Sequence, residues 1–223
     1  MIKSDRWIRK MCEEKGMITP FFSESVKVLN GKKVPSFGLS SYGYDIRMST
    51  TVKVFRSLEK SYVTVNGVRT LIEPIWPDSI VSFNNESYEK QYPAMKLTEG
   101  ADHSKFYQTF ENVDTIVIPP NGFILANTME HFNIPERTTG VCIGKSSLAR
   151  MGCHPLVTPL EVLWSGYLTL ELKNLNTVPI ELQTQCGIAQ VQFFESDEDC
   201  EVSYADRGGK YMNQGNVPID GKV

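Results

Sequence analysis

TIVIPPNGFILAN, residues 115–127, consists of two β-rich apolar runs separated by the turn residues Pro119-Pro120-Asn121-Gly122. The same texture extends in both directions. Upstream lie TVKVF at Thr51, SYVTV at Ser61, VRTLI at Val68 and SIVSF at Ser79. Downstream lie GVCIG at Gly140, YLTLELKN at Tyr167, VPIEL at Val178 and GIAQVQFF at Gly187. Many short β-rich windows broken by turn residues predict a mainly β chain, a sandwich or barrel rather than an alternating α/β fold. The exception is the start of the chain. Ser4 can cap a short helix over about residues 4–16, with Asp5 in its first turn, Trp7, Ile8 and Met11 on one face, and Lys15-Gly16 as its stop.

Composition narrows the function classes. The 223 residues are 41% hydrophobic and 22% charged, which is ordinary for a globular protein with a sizeable core. A net charge of -3 argues against a general binder of nucleic acid or membrane surfaces, both of which need a basic field, but leaves room for a local anion site. No apolar run approaches the roughly 20 residues of a spanning helix. The opening MIKSDRWIRK lacks a signal-peptide core, so a cytoplasmic protein is expected. Cys12, Cys142, Cys153, Cys186 and Cys200 are odd in number, scattered and without a C-x-x-C pair. Reduced thiols fit that pattern better than a zinc knuckle or redox dithiol.

Two segments stand apart. Residues 84–112 are polar and weakly periodic and read as a long loop or an insertion. Residues 205–223, ADRGGKYMNQGNVPIDGKV, hold four glycines and little apolar material, and composition alone reads them as a frayed terminus. The organisation expected is one β domain over residues 1–204 followed by this tail.

Two constellations carry chemistry. GKSSLAR, residues 144–150, places Lys145, Ser146, Ser147 and Arg150 together at the end of a strand-like run. Turn amides, hydroxyls and a lysine suit a phosphate, and Ser146 and Arg150 share a face if the turn is helical. GKSS lacks the full phosphate-loop pattern, so a polar turn with capping serines remains open. In YLTLELKN, the strand alternation puts Leu168, Leu170 and Leu172 on a core face, with Tyr167, Thr169 and Glu171 opposite. Glu171 is either a surface carboxylate or, if it faces a cleft, a proton-transfer group with a raised pKa. His103, His131 and His154 are isolated, and the H-x-E and P-C-x-x-C signatures of zinc deaminases are missing from the sequence.

In this order, SSYGYDIRM from Ser40, IPPNGFILANTMEHFNIPE, GKSSLARMG, VTPLEVLWSGYLTLELKN, GIAQVQFFES and SYADRGGKYMNQG resemble the dCTP deaminases of the dUTPase-like superfamily. The resemblance spans most of the chain, apart from about residues 57–112, which are longer and less typical than in the family and imply an atypical insertion. It implies a homotrimer of distorted β-barrel or jelly-roll subunits with active sites shared between neighbours. It also implies zinc-independent hydrolytic deamination of a deoxycytidine nucleotide. Glu171 then matches the general acid/base, and Ser146 and Arg150 match the residues that hold the water and orient that carboxylate. Lys145, Ser147, Tyr204, Lys210 and Gln214 match phosphate contacts, and the tail becomes a flexible lid that closes over the phosphates. Glu161, Val157 and Trp164 match sugar and base contacts. Mg²⁺ is expected on the nucleotide phosphates, with no protein metal site. Inhibition by dTTP is common among such deaminases.

The sequence departs from the pattern in two places. PLEVLW, residues 159–164, is two residues shorter than the A-H-R-I-D-P-G-W of many relatives. It puts Glu161 ten residues before Glu171, the spacing of the family's sugar-contacting aspartate. K-Y-M-N-Q-G has one glutamine where many relatives have two, which makes dCMP an alternative substrate to dCTP. Two further alternatives stand: a dUTPase-type or bifunctional pyrophosphatase, whose G-V-I-D-x-x-Y-x-G aspartate has at best Glu161 in its place, and a non-catalytic jelly-roll module.

Overall fold

A computed structural model describes residues 1–56, 60–73, 95, 97–99, 101, 103–156 and 158–222. The expected strand at Ser79 and the site residue Val157 lie outside the described residues. Helix α1, Asp5–Lys15, starts at Ser4, whose backbone is extended and whose carbonyl accepts from the Ile8 amide at 3.0 Å. It stops at Gly16, in left-handed backbone at φ 62, whose amide turns back to the Cys12 carbonyl. Ile8 and Cys12 are buried, and Trp7 and Met11 pack on the core beside them.

The strands are β1 Ile18–Thr19, β2 Val26–Leu29, β3 Lys32–Ser40, β4 Gly43–Phe55, β5 Ser61–Val65, β6 Val68–Ile72, β7 Tyr107–Phe110 and β8 Val113–Ile118. They continue with β9 Phe123–Asn133, β10 Thr138–Gly144, β11 Cys153–Pro155, β12 Thr158–Leu160, β13 Ser165–Asn174, β14 Ile180–Gln183 and β15 Gly187–Glu195. A one-turn helix, α2 Ser146–Ala149, follows β10. Among the described residues, an 11-stranded sheet runs β11-β13-β9-β4-β15-β10-β12, with β1 on β9, β2-β3 on β4, and β7 on β4. It curls into a half-barrel. A second sheet runs β14-β8-β5-β6.

The opening turn hands the chain from one sheet to the other. β8 pairs with β5 and β14, whereas β9 pairs with β13, β4 and β1. Gly122 donates to the Pro119 carbonyl at 2.8 Å, and a Cβ on it would lie 2.7 Å from Pro119 Cδ, so only glycine fits there. Asn174, fully buried at the end of β13, fixes this turn from below. Its Nδ2 lies 3.0 Å from each of the Ile118 and Pro119 carbonyls, and its amide donates to Gly122 O at 3.1 Å. The core lies between the sheets: Val63, Ile116 and Ile118 meet one continuous cluster with Val52, Ile124, Ala126 and Leu172.

The polar stretch read as loop ends in structure. Residues 104–106 form a 3-10 turn, and β7 then pairs Tyr107 with Phe55 and Thr109 with Lys53 on β4. The arginine of SSYGYDIRM is structural. Arg47 Nε donates to Glu130 Oε1 at 2.7 Å, and its guanidinium lies 4.6 Å from the Phe22 ring and 4.9 Å from that of Phe37.

Candidate active site

As the alternation predicts, Leu168, Leu170 and Leu172 are buried and Glu171 stands on the face opposite Leu170 and Leu172, while Leu168, at the register shift between Tyr167 and Thr169, also borders the cavity described below. Register carries that face outward. Glu171 is opposite Leu125 on β9, Leu125 is opposite Lys53 on β4, and Lys53 is opposite Thr109 on β7. Directly opposed residues present their side chains on one side of a sheet. The row beside it brings Phe123 and, through Phe55, Tyr107 to the same surface. The curl of the sheet makes this surface the floor of a cavity of about 440 Å³.

One wall is β12 with the loop after it: Thr158, Pro159, Glu161 and Trp164. The roof is the tail, through Tyr204, Tyr211, Gln214, Ile219, Asp220 and Gly221. The tail holds the body by directional bonds. Trp164 Nε1 donates to Tyr211 O at 2.7 Å, Tyr167 N to Gln214 O at 3.0 Å, Asn213 N to Ser165 O at 2.8 Å, and Asn127 Nδ2 to Gly215 O at 2.8 Å. Thr169 Oγ1 lies 3.0 Å from Gln214 Oε1, and Lys53 Nζ lies 3.0 Å from Asp220 Oδ1.

Glu171 is the chemical centre of this cavity. Burial pushes its carboxyl above its ordinary value, while its own backbone amide and the Thr158 hydroxyl, which donates to Oε2 at 3.2 Å, pull it part of the way back. Burial first, then the charges of Asp220 and Glu171, pushes the Tyr107 phenol up to about 12. The Cys142 thiol is pushed up to about 12 by burial and by Glu171. Both are therefore neutral around pH 7, and Glu171 is the group of the three suited to trading protons with a ligand.

Of the residues singled out in the sequence, Glu171, Glu161, Trp164, Tyr204 and Gln214 line this one cavity. Glu161 is also 3.9 Å from Arg207 Nη2. Lys210 lies outside it, with Nζ donating to Lys222 O at 2.8 Å. The GKSS residues line a separate cavity of about 380 Å³ with Ser36, Asp45 and Gln190. There Lys145 Nζ is paired with Asp45 Oδ2 and lies 3.3 Å from Ser36 Oγ, while Gln190 Nε2 donates to Asp45 Oδ1 at 3.0 Å. Ser146, Ser147 and Arg150 are exposed at α2. One chain thus carries the two predicted constellations in two separate cavities.

Sequence reasoning missed Thr158, Tyr107, Lys53, Asp220 and Asp45. Thr158 and Asp45 sit inside the quoted motifs VTPLEV and SSYGYDIRM, where attention fell on neighbours. The alternation of YQTF is the signal for Tyr107, and nothing local marks the pairing of Lys53 with Asp220.

Comparison with known proteins bears on what the cavity takes. A family model described as dCTP deaminase-like matches residues 2–196. A dCTP deaminase of Francisella tularensis subsp. novicida is 41% identical over 218 residues, 98% of this chain and 97% of that protein. One of Acidithiobacillus ferrooxidans is 43% identical over 218 residues, with the same shares. Among solved structures, the 2'-deoxycytidine 5'-triphosphate deaminase of Agrobacterium tumefaciens superposes with a TM-score of 0.52 at 15% identity, which speaks to the fold. That alignment takes in 87% of this chain, which spans about half, 48%, of the solved one.

Proposed function

The chain belongs to the dCTP deaminase-like family, and from that premise we propose that it hydrolyses dCTP to dUTP and ammonia, with Glu171 as general acid and base. The observation that carries this reading is the setting of Glu171: a half-buried carboxylate with a raised pKa, bonded to Thr158, in a nucleotide-sized cavity. The Glu171 carboxylate takes a proton from water as the water oxygen attacks C4 of the cytosine. It then delivers that proton to N3. The second proton of the former water passes through Glu171 to the amino nitrogen, the C4–N bond breaks, and ammonia leaves as the C4 carbonyl forms. Zinc plays no part in this scheme, in line with the missing H-x-E and P-C-x-x-C signatures.

The functional unit in this reading is a homotrimer in which Lys145, Ser146, Ser147 and Arg150 of one subunit complete the Glu171 cavity of the next. The separation of the two half-sites within one chain supports it. Ser146 and Arg150 would hold the water and orient Glu171, and an arginine there favours the ionised carboxylate. Lys145 and Ser147 would meet phosphate, with Lys145 exchanging Asp45 for it. Tyr204, Lys210 and Gln214 would close the tail over the phosphates, Glu161 and Trp164 would border sugar and base, and Val157 completes that set.

Mg²⁺ would arrive on the phosphate oxygens. Among the described residues no cluster of three His, Cys, Asp or Glu could hold a metal ion, and the one carboxylate beside the GKSS turn, Asp45, is already paired with Lys145. dTTP, with the same sugar and phosphates, would compete for the cavity. Among the described residues no helix is long and apolar enough to cross a membrane. Membership in a family of nucleotide-metabolising enzymes supports a cytoplasmic location.

The test is incubation with dCTP, dCMP and dUTP, with and without Mg²⁺, and separation of products by ion exchange. A uracil nucleotide with its phosphate count unchanged is the expected product. dUMP and pyrophosphate would identify a pyrophosphatase or a bifunctional enzyme, and no turnover would leave a binding module.

A further inference from the structure

Glu171 must be held in place both as a carboxylate and as a carboxylic acid, since the proposed cycle passes it through both forms. A fixed cationic donor favours only the first. The neighbour found here is a hydroxyl, which both donates and accepts. Thr158 Oγ1 lies 3.2 Å from Glu171 Oε2 and 3.5 Å from the carbonyl oxygen of Leu156. Its single proton therefore has two acceptors. Facing ionised Glu171, the hydroxyl donates to Oε2. When Glu171 carries a proton, the hydroxyl turns its own proton to Leu156 O and accepts from the acid.

The surroundings keep that hydroxyl in register. Thr158 pairs with Cys142 in the β10–β12 ladder, and the Leu156 amide donates to the Glu171 carbonyl at 2.9 Å. The segment thus grips the backbone of Glu171 as well as its side chain. The γ-methyl of threonine restricts χ1, so the oxygen is already directed before a ligand enters.

Resting on the deaminase reading of the same cavity, we propose that Thr158 is a positioning residue for Glu171, a two-way hydroxyl clamp that holds the acid/base in one place through both its protonation states. Among the described residues, the ionisable groups around Glu171 are Tyr107 on β7, Cys142 on β10, Lys53 on β4, Glu161 on the wall, and Tyr204, Tyr211 and Asp220 in the roof. None of them bonds Glu171, so its polar side-chain contact among the described residues is Thr158.

The experiment compares full-length wild type, Thr158→Val and Thr158→Ser with Glu171→Gln, using dCTP as substrate. Valine keeps the shape and loses the hydroxyl. kcat of Thr158→Val is expected to fall on the order of 10- to 100-fold with KM within about threefold. The acid limb of its kcat profile should move to higher pH, because the carboxylate loses its donor. Serine should restore the wild-type limb and kcat to within about fivefold, the remainder reflecting its looser χ1. A Thr158→Val enzyme with wild-type kcat and acid limb, beside an inactive Glu171→Gln, would overturn the clamp and leave the deaminase reading standing. Equal losses in the valine and serine variants with an unmoved limb would also overturn it. Turnover by Glu171→Gln would instead remove the deaminase reading, and the clamp with it.

Discussion

Gly166→Ala adds one methyl group at the point where the tail rests on β13. Gly166 has φ +145, and a Cβ there would lie 2.7 Å from Gln214 N, 3.1 Å from Gln214 O and 3.2 Å from Gln214 Cβ. The nearest of these is backbone, so the tail has to move. Moving it breaks the Tyr167 N to Gln214 O and Asn213 N to Ser165 O bonds at 3.0 and 2.8 Å. At about 1 kcal/mol net for each bond, docking of the tail weakens by about 2 kcal/mol. That is about 30-fold in the ratio of docked to undocked tail.

If nucleotide binding needs the docked tail, KM for dCTP should rise by about 10- to 30-fold while kcat changes by less than about threefold, because Glu171 lies on the floor rather than the roof. Alanine at this φ also costs about 1–3 kcal/mol in strain. At 2–4 °C per kcal/mol for a chain of this size, Tm should fall by about 3–10 °C. Displacement of the tail also removes Tyr211 O from the indole of the buried Trp164, so emission should shift to the red. Steady-state kinetics, a thermal melt and a fluorescence spectrum on one sample measure all three. A red-shifted, folded Gly166→Ala with unchanged KM would refute the view that the tail forms part of the nucleotide site.

Other outcomes follow from the same geometry. Mixing Glu171→Gln with Arg150→Ala subunits after brief dissociation should restore about a quarter of wild-type turnover, the share of interfaces that pair two intact half-sites; a mixture as inactive as its parents would mean that the sites are not shared. The raised pKa of Glu171 means that the base is lost on acidification earlier than for an ordinary carboxylate, so the acid-side midpoint of kcat/KM should lie above that of an ordinary glutamate. The same shift carries a stability sign. Folded Glu171 binds its proton more tightly than unfolded Glu171, so its contribution is fully present below the unfolded pKa and lost as pH rises through the folded one. Glu171→Gln should therefore raise Tm at neutral pH, as a thermal melt would register. On the opposite face of β13, Leu172→Ala should cost about 2–5 kcal/mol in a denaturant titration, since Leu172 is fully buried.

What could be read from the sequence depended on how local the determining physics is. Helix α1 was legible to within a residue because Ser4 and Gly16 act on their own turns. The face assignment of Glu171 was legible because Leu168, Leu170 and Leu172 alternate without a break. β11 and β12 were not, since Cys153–Pro155 and Thr158–Leu160 are three residues each and contain a proline. They stand at the ends of the sheet path, where a missing donor is tolerated. β7 was hidden by polar side chains, because its place comes from pairing with β4 rather than from burial.

The two cavities depend on contacts across long sequence separation, which periodicity does not report. Lys53 and Asp220 are 167 residues apart, and Lys145 and Asp45 are 100 apart. The tail shows the difference most plainly. Its composition offers no core, yet its backbone bonds to Ser165, Tyr167 and Asn127. Those bonds need only donors and acceptors in register, which residue identity does not reveal.

The central claim is that Glu171 moves the protons, and the turnover number of Glu171→Gln with saturating dCTP measures it most directly. Glutamine keeps the size of the side chain and its bond to Thr158 but cannot take a proton from water. Deamination should fall by at least about 10⁴-fold while dCTP still binds within a few-fold of wild type. Near wild-type release of ammonia from that variant would contradict the account.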